Sequence, residues 1–324
     1  MGMENIPKNK PIVFLSNHQN ALMDVLLIAT HLKNRPWFIT RSDVFKGRFL
    51  KPLFNFLQML PVYRIRDGKS NLYKNNAIFS QCGELLEAHE AILLFPEANH
   101  SLKRRVRPLS KGFTRIINSA LEKNPNLDLQ VVPIGQNYAY PTQVGDSAVL
   151  YFGKPIAAQE YKDATDFVNE IKQKVFESLT ELTTHIPEIR YNEIISKIGV
   201  EGEHYLYPKG NNLRIAKDAI PQKTSPKKSF VSGILKSLFY LSNLPLVFLW
   251  KILVKPRVLE PEFEATFRFA FALLLYPIFY GSFGLILWNA YSPKTVFLAV
   301  MGHALMNVFL IKLGITSSNQ KKYW

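Results

Sequence analysis

The sequence predicts an α/β domain, a mixed sheet flanked by helices, followed by a C-terminal membrane-associated helical region. Three observations carry this. Short apolar runs at Ile12–Leu15, Trp37–Thr40, Ala91–Phe95, Leu129–Ile134 and Ala148–Phe152 alternate with amphipathic stretches of helical length. Residues leaving two of those runs, His18 and Glu97, carry chemistry where open α/β sheets place it, beyond strand carboxyl ends. The longest uncharged runs lie after residue 229. The expected organisation is a catalytic domain over 1–185, a polar extension and linker over 186–229, and a membrane region over 230–324.

Ile12–Leu15 reads as a buried strand ending at Ser16-Asn17-His18, with Asn20 as N-cap of a helix over Ala21–Ala29. His18 therefore sits on a strand-to-helix connection, and Asp24 follows within about two helical turns. A histidine can act as general base when a carboxylate fixes its tautomer. A loop histidine beside an unrelated helix acid is the plainer alternative for this pair taken alone.

Val44–Leu60 is apolar and basic, with Phe45, Phe49, Leu50, Leu53, Phe54, Phe56 and Leu57 covering much of a helical surface and Lys46, Arg48 and Lys51 interleaved. It reads either as a core helix with a wet edge or as a helix lying against lipid. Leu60–Arg66 reads as a strand on which Arg64 and Arg66 share a face, and two guanidinium groups so placed suit a phosphate dianion. Two solvated arginines on an edge strand are the alternative. Asn71–Glu90 is expected to form a helix with Ile78, Leu85 and Leu86 inward.

Between Ala98 and Leu121 stand Lys103, Arg104, Arg105, Arg107, Lys111 and Arg115, with no acid. Such a run is either a solvated face or a basic patch that concentrates an anionic lipid or another phosphate-bearing ligand. Pro133 is expected to end ladder pairing in its strand and to shape a wall of the site. Thr165–Leu182 is a charged amphipathic helix. No paired histidines or carboxylate clusters have metal-ligand spacing, so no metal is expected.

Phe269–Trp288 runs twenty residues without formal charge, long enough to cross a bilayer core. Thr295–Ile311 is a second such run, and Asn289–Lys294 joins them as a hairpin turn. Lys251, Lys255, Arg257 and Arg268 precede the hairpin and Lys312, Lys321 and Lys322 follow it, against Lys294 alone in the turn; both outer ends are expected in the cytoplasm. Ser237–Trp250, shorter and containing Pro245, suits an interfacial or re-entrant helix. The net charge of +15 calls for an anionic partner, and the apolar runs favour a membrane surface. No nucleic acid is expected, because the basic residues are not interleaved with aromatics on any recognisable binding module. The single Cys82 excludes an intrachain disulfide and a cysteine zinc cluster. Met1–Pro7 has no signal-peptide core, and Ile6 removes the usual myristoylation signal. With only 17 residues before His18, the anchor is expected downstream.

Taken together, Asn17-His18 with Asp24, Leu60–Arg64, Phe95-Pro96-Glu97 and Val132-Pro133-Ile134 follow the motif order of the glycerolipid acyltransferases. The chain resembles their lysophosphatidate acyltransferase-like members over roughly residues 3–156, with a looser likeness in Pro261–Tyr280 to glycerol-3-phosphate acyltransferases. The resemblance implies transfer of a fatty acyl group from acyl-coenzyme A or acyl carrier protein to a lysophospholipid hydroxyl at a cytoplasmic membrane face, with no other cofactor. It implies His18 and Asp24 as the catalytic pair, Arg64 at the acceptor phosphate and Glu97 orienting the glycerol. Arg66, His100, Arg104, Arg105 and Pro133 join them as expected substrate-binding residues. The chain departs from the pattern in three ways. Five residues instead of four separate His18 and Asp24, which suggests a residue added to the loop before the helix. Gln58 and Ala98 stand where the motifs have glycine, and His100 where they have arginine.

Overall fold

The computed structural model describes residues 1–33, 35–46, 51–64, 73–220 and 230–313. In the N-terminal part, strands and helices alternate: β1 (Ile12–Ser16), α1 (Ala21–His31), β2 (Trp37–Arg41), α2 (Lys51–Phe56), β3 (Met59–Val62), α3 (Lys74–Glu87) and β4 (Ala91–Leu94). Then come α4 (Gly112–Lys123), β5 (Gln130–Tyr138), β6 (Ala148–Phe152), β7 (Ile156–Ala157) and α5 (Phe167–Leu182). The sheet runs β3-β2-β4-β1-β5-β6, with β7 also on β5. Its first five strands are parallel, and β6 and β7 pair antiparallel with β5. The mixed α/β sheet with flanking helices is therefore present.

β1 lies inside the sheet between β4 and β5, which is why every one of its five residues is buried. A strand covered on both faces needs apolar residues throughout, and Ile12-Val13-Phe14-Leu15 supplies them. One core, with Val13, Leu15, Ile92, Phe113 and Val131, packs under α3, α4 and α5. A second, with Phe14, Ile28, Phe38 and Val132, packs under α1.

Several expectations change. The helix expected over Val44–Leu60 is much shorter: α2 ends at Phe56, and Met59 already pairs with Phe38 in β3. Positions 47–50 lie outside the described residues. β3 ends at Val62, so Arg64 follows the strand instead of sitting within it, and Arg66 lies outside the described residues. Pro133 does not end its strand. It occupies the interior of β5 opposite Leu15, where β5 changes antiparallel partner from β7 (through Val131) to β6 (from Ile134). A residue without an N–H is tolerated at such a gap, and its carbonyl still accepts from Gly153 N–H at 2.9 Å.

The extension expected as linker is largely folded. Helices α6 (Tyr191–Ile198) and α7 (Pro208–Ala216) gather Ile186, Ile194 and Ile215 into a small core of their own. Leu206 packs on Ala139 and Tyr140, and Asn212 donates to the carbonyls of Thr180 and Thr183, fixing the unit to the sheet domain.

The C-terminal region contains α8 (Phe230–Ser242), α9 (Leu244–Leu249), α10 (Glu264–Trp288) and α11 (Pro293–Lys312). α10 and α11 are long and apolar enough to cross a membrane; 25 and 20 residues correspond to roughly 37 and 30 Å. The Ser237–Trp250 segment is two helices, bent by 85° at Asn243. The Asn243 and Asn307 amides exchange hydrogen bonds at 2.8 and 3.0 Å, and Tyr276 donates to Asn243 at 3.1 Å. This satisfies the polar groups at the bend, as an apolar surrounding requires.

Candidate active site

The loop after β1 is held to its neighbours on both sides. The Asn17 side chain accepts from Gln136 N–H at 2.7 Å and donates to Gln136 O at 3.0 Å, locking the loop to β5 as a third backbone strand would. Ser101 N–H donates to His18 O at 3.0 Å from the loop after β4. The His18 ring stacks on Phe95, with centroids 4.0 Å apart and planes at 14°.

His18 Nδ1 lies 2.7 Å from Asp24 Oδ2. Asp24 is fully buried, and its carboxylate is saturated: Oδ2 also accepts Gln19 N–H and Asn20 N–H at 2.7 and 2.9 Å, and Oδ1 accepts the Tyr138 hydroxyl at 2.7 Å. Nδ1 faces the carboxylate, which leaves Nε2 as the ring nitrogen turned away from it. At the first residue of α1, Ala21 takes φ 43°, and Asp24 in the first turn of the helix faces back toward the loop. Asn20 is the N-cap residue, but its side chain makes no capping bond; the Asp24 carboxylate receives the loop N–H groups instead. Burial and the Asp24 charge hold the Tyr138 phenol well above its ordinary range, so it stays a donor.

Glu97 leaves β4, the neighbour of β1, and so stands beside His18. Its carboxylate is taken by Arg107: Oε1 accepts the Arg107 backbone N–H at 3.1 Å, and Oε2 accepts Nε at 3.1 Å and Nη2 at 2.5 Å. Burial pushes the Glu97 carboxyl up, while the charge and hydrogen bonds of Arg107 pull it back. Removing one partner of such a buried pair costs about 3–5 kcal/mol, because the other charge is left uncompensated. Ala98, in place of the motif glycine, adopts φ 64°, and Gln58, the other substituted glycine, adopts φ 53°. Both turns therefore keep the left-handed backbone without the residue that takes it freely.

Arg64 lies near Asp43, Nη2 to Oδ2 at 3.6 Å, and Arg41 donates from Nε to the same carboxylate at 3.1 Å. Arg41 ends β2, and the carboxyl ends of β3, β2, β4 and β1 form one edge. At about 4.8 Å per strand, Arg41 and Arg64 are offset from His18 by roughly 10 and 14 Å. Arg41 was missed in the sequence, although its place directly after an apolar strand run is the signal that points to it.

Arg104 is not available to a substrate. It is buried, its guanidinium lies 3.9 Å over the Tyr205 ring, and it donates to the carbonyls of Tyr138, Ala139 and Val200 at 2.8, 3.5 and 3.1 Å. It clamps the folded extension to the sheet. Arg105 pairs with Glu188 of the same extension at 2.9 Å. The sequence missed Arg107 as the partner of Glu97 and Tyr138 as the partner of Asp24.

His100 meets the edge of His18 at 5.6 Å between centroids, and its Nε2 lies 2.9 Å from Glu260 Oε2. Among the described residues, His100, Glu260 and Glu262 bring ligand-type atoms within 4.8 Å of one another, a grouping across 160 residues that sequence spacing cannot display. Those atoms already serve protein partners, Glu262 Oε1 accepting Leu102 N–H at 3.3 Å.

Fold and site define a mostly parallel α/β domain whose histidine–aspartate pair sits at the carboxyl edge of the sheet. Residues 1–136 match the acyltransferase family model. It is 28% identical over 159 residues to a 1-acyl-sn-glycerol-3-phosphate acyltransferase of Chlamydomonas reinhardtii, covering 48% of this chain and 40% of that one. It is 28% identical over 81 residues to glycerol-3-phosphate O-acyltransferase 1 of Saccharomyces cerevisiae, covering 25% of this chain and 11% of that one. These matches span less than half the length of either relative. The crystal structure of the 1-acyl-sn-glycerophosphate acyltransferase PlsC from Thermotoga maritima aligns with a TM-score of 0.39 and 19% identity, over 55% of this chain and 68% of that one.

Proposed function

We propose that the chain is a membrane-bound O-acyltransferase that moves a fatty acyl group from a thioester, acyl-coenzyme A or acyl carrier protein, to lysophosphatidate. The observation that carries this reading is the 2.7 Å contact of His18 Nδ1 with a buried, saturated Asp24. His18 Nε2 takes the acceptor hydroxyl proton as that oxygen bonds to the thioester carbonyl carbon. The tetrahedral intermediate then collapses, the C–S bond breaks, and the proton passes to the departing sulfur as the free thiol forms. No covalent acyl-enzyme and no metal or cofactor is invoked.

Arg64, with Arg41 beside it on the Asp43 carboxylate, receives the acceptor phosphate, to which a guanidinium offers paired, charge-assisted N–H donors. Glu97, fixed by Arg107, shapes the acceptor subsite between these arginines and His18. The hairpin of α10 and α11 anchors the domain, with its site at the cytoplasmic face among anionic phospholipids. The likeness to a glycerol-3-phosphate acyltransferase supports glycerol-3-phosphate as second acceptor, ahead of a lyso-aminolipid.

The test is thiol release from acyl-coenzyme A by the purified full chain, with lysophosphatidate and glycerol-3-phosphate offered in parallel. Turnover with lysophosphatidate supports the reading, and turnover with glycerol-3-phosphate alone moves the enzyme one acylation earlier. Silence with both acceptors, with either donor, favours a lipid-binding protein that keeps the fold without the reaction.

A further inference from the structure

The segment that leads into the membrane hairpin lies over the catalytic loop. Glu260 Oε2 holds His100 Nε2 at 2.9 Å, and Phe263 meets the edge of the same imidazole at 4.6 Å between centroids. Glu262 Oε1 accepts the Leu102 N–H at 3.3 Å. These three side chains grip one short loop, residues 100–102, that touches the catalytic histidine twice. The His100 ring packs edge-on against His18, and Ser101 N–H holds the His18 carbonyl at 3.0 Å.

Farther along, the grip continues. Arg268, in the second turn of α10, donates to Thr142 O at 2.9 Å in the loop after β5, and its charge is balanced by Glu264 at 2.5 Å. Asn20, two residues after His18, donates to Pro141 O at 3.1 Å in that same loop. The first turns of the membrane helix thus brace both loops that flank His18. α1, which carries Asp24, also packs against α10.

We propose that Glu260–Phe263 is a positioning strap for the catalytic histidine, so that the membrane hairpin sets the geometry of the site and not only its location. Glu260 is well exposed, and an ion pair with one exposed member adds little stability. Its use is orientation: it fixes the His100 ring in the plane that supports His18, while Phe263 supplies the packing. Catalysis is sensitive to such support, because a displacement of about 1 Å at the reacting groups costs up to about a hundredfold in rate. Neither residue touches the reacting atoms. The inference rests on His18 as the base.

The test uses the full chain in micelles, comparing wild type with the double variant Glu260→Ala, Phe263→Ala. The strap predicts that kcat falls by about tenfold with KM for acyl-coenzyme A unchanged, the pattern of a lost positioning contact. It also predicts faster hydrogen exchange at the amides of Ser101 and Leu102. Glu260→Gln, which still accepts from His100, keeps most of the wild-type kcat. Unchanged kcat together with unchanged exchange at residues 98–103 would overturn the proposal. If the double variant does not fold, Glu260→Ala and Glu262→Ala are read by the same two measurements with the same criteria. If wild type turns over no acceptor, the acyltransferase reading fails by itself, and exchange at 98–103 still decides whether the strap exists.

Discussion

The Tyr138 hydroxyl lies 2.7 Å from Asp24 Oδ1, on the side of the carboxylate opposite His18. It is the one side-chain hydroxyl among the donors that keep a fully buried carboxylate solvated, the others being the His18 ring and two backbone N–H groups. Tyr138→Phe removes that donor without changing the shape of the core. The expected result is a folded protein less stable by about 1–3 kcal/mol, the cost of an under-satisfied buried acceptor. Its kcat should fall while KM for either substrate stays. Denaturation and steady-state kinetics on the purified variant check both halves; an unchanged kcat would remove Tyr138 from the account.

Ala98 and Gln58 hold left-handed backbone angles at places where the resembling motifs carry glycine. Such angles cost an alanine or glutamine about 1–2 kcal/mol, whereas glycine adopts them freely but loses more chain entropy on folding. Ala98→Gly and Gln58→Gly should each stabilise the protein by roughly 0.5–1 kcal/mol and leave activity in place. The midpoint of thermal unfolding in micelles is the readout. A loss of stability in both would mean that the surrounding loops, not the backbone angle, dominate these positions.

Asp146 sits under the Tyr140 turn, accepting Tyr140 N–H and Ser147 N–H at 2.6 and 2.7 Å, and burial pushes its carboxyl up to about 6. In the unfolded chain it titrates near 3.8. Below that value both states are protonated and the group is neutral to stability. Between about 4 and 6 the folded state binds more protons, so its contribution falls as pH rises and stays low above 6. Asp146→Asn, which keeps an acceptor, should therefore gain in unfolding temperature relative to wild type across that window and hold the gain above it. A difference that does not vary with pH between 4 and 6 would contradict this.

Much of the sheet was legible because its strands are buried on both faces. Ile12–Leu15, Ala91–Leu94 and Val131–Ile134 are plain apolar runs, and nothing but a strand or short core helix explains them. The failures have a common physical origin. Lys103 to Arg107 look alike as charges, yet Arg104 is sunk among carbonyls from Tyr138, Ala139 and Val200, Arg105 is paired with Glu188, and Arg107 serves Glu97. The partners that separate these roles lie up to 96 residues away. Pro133 misled for a different reason: its effect on a ladder depends on which neighbour faces the missing N–H, and there the partner strand changes. The His100–Glu260 contact joins positions 160 residues apart and has no local signature at all.

The most direct measurement is thiol release from acyl-coenzyme A in the presence of lysophosphatidate, made in parallel on the wild-type full chain and on His18→Ala. Steady turnover is expected from the wild type and none above background from the variant, with both proteins equally folded by circular dichroism. Turnover by His18→Ala at a rate near that of the wild type would contradict the account, because the buried Asp24 would then have no base to hold.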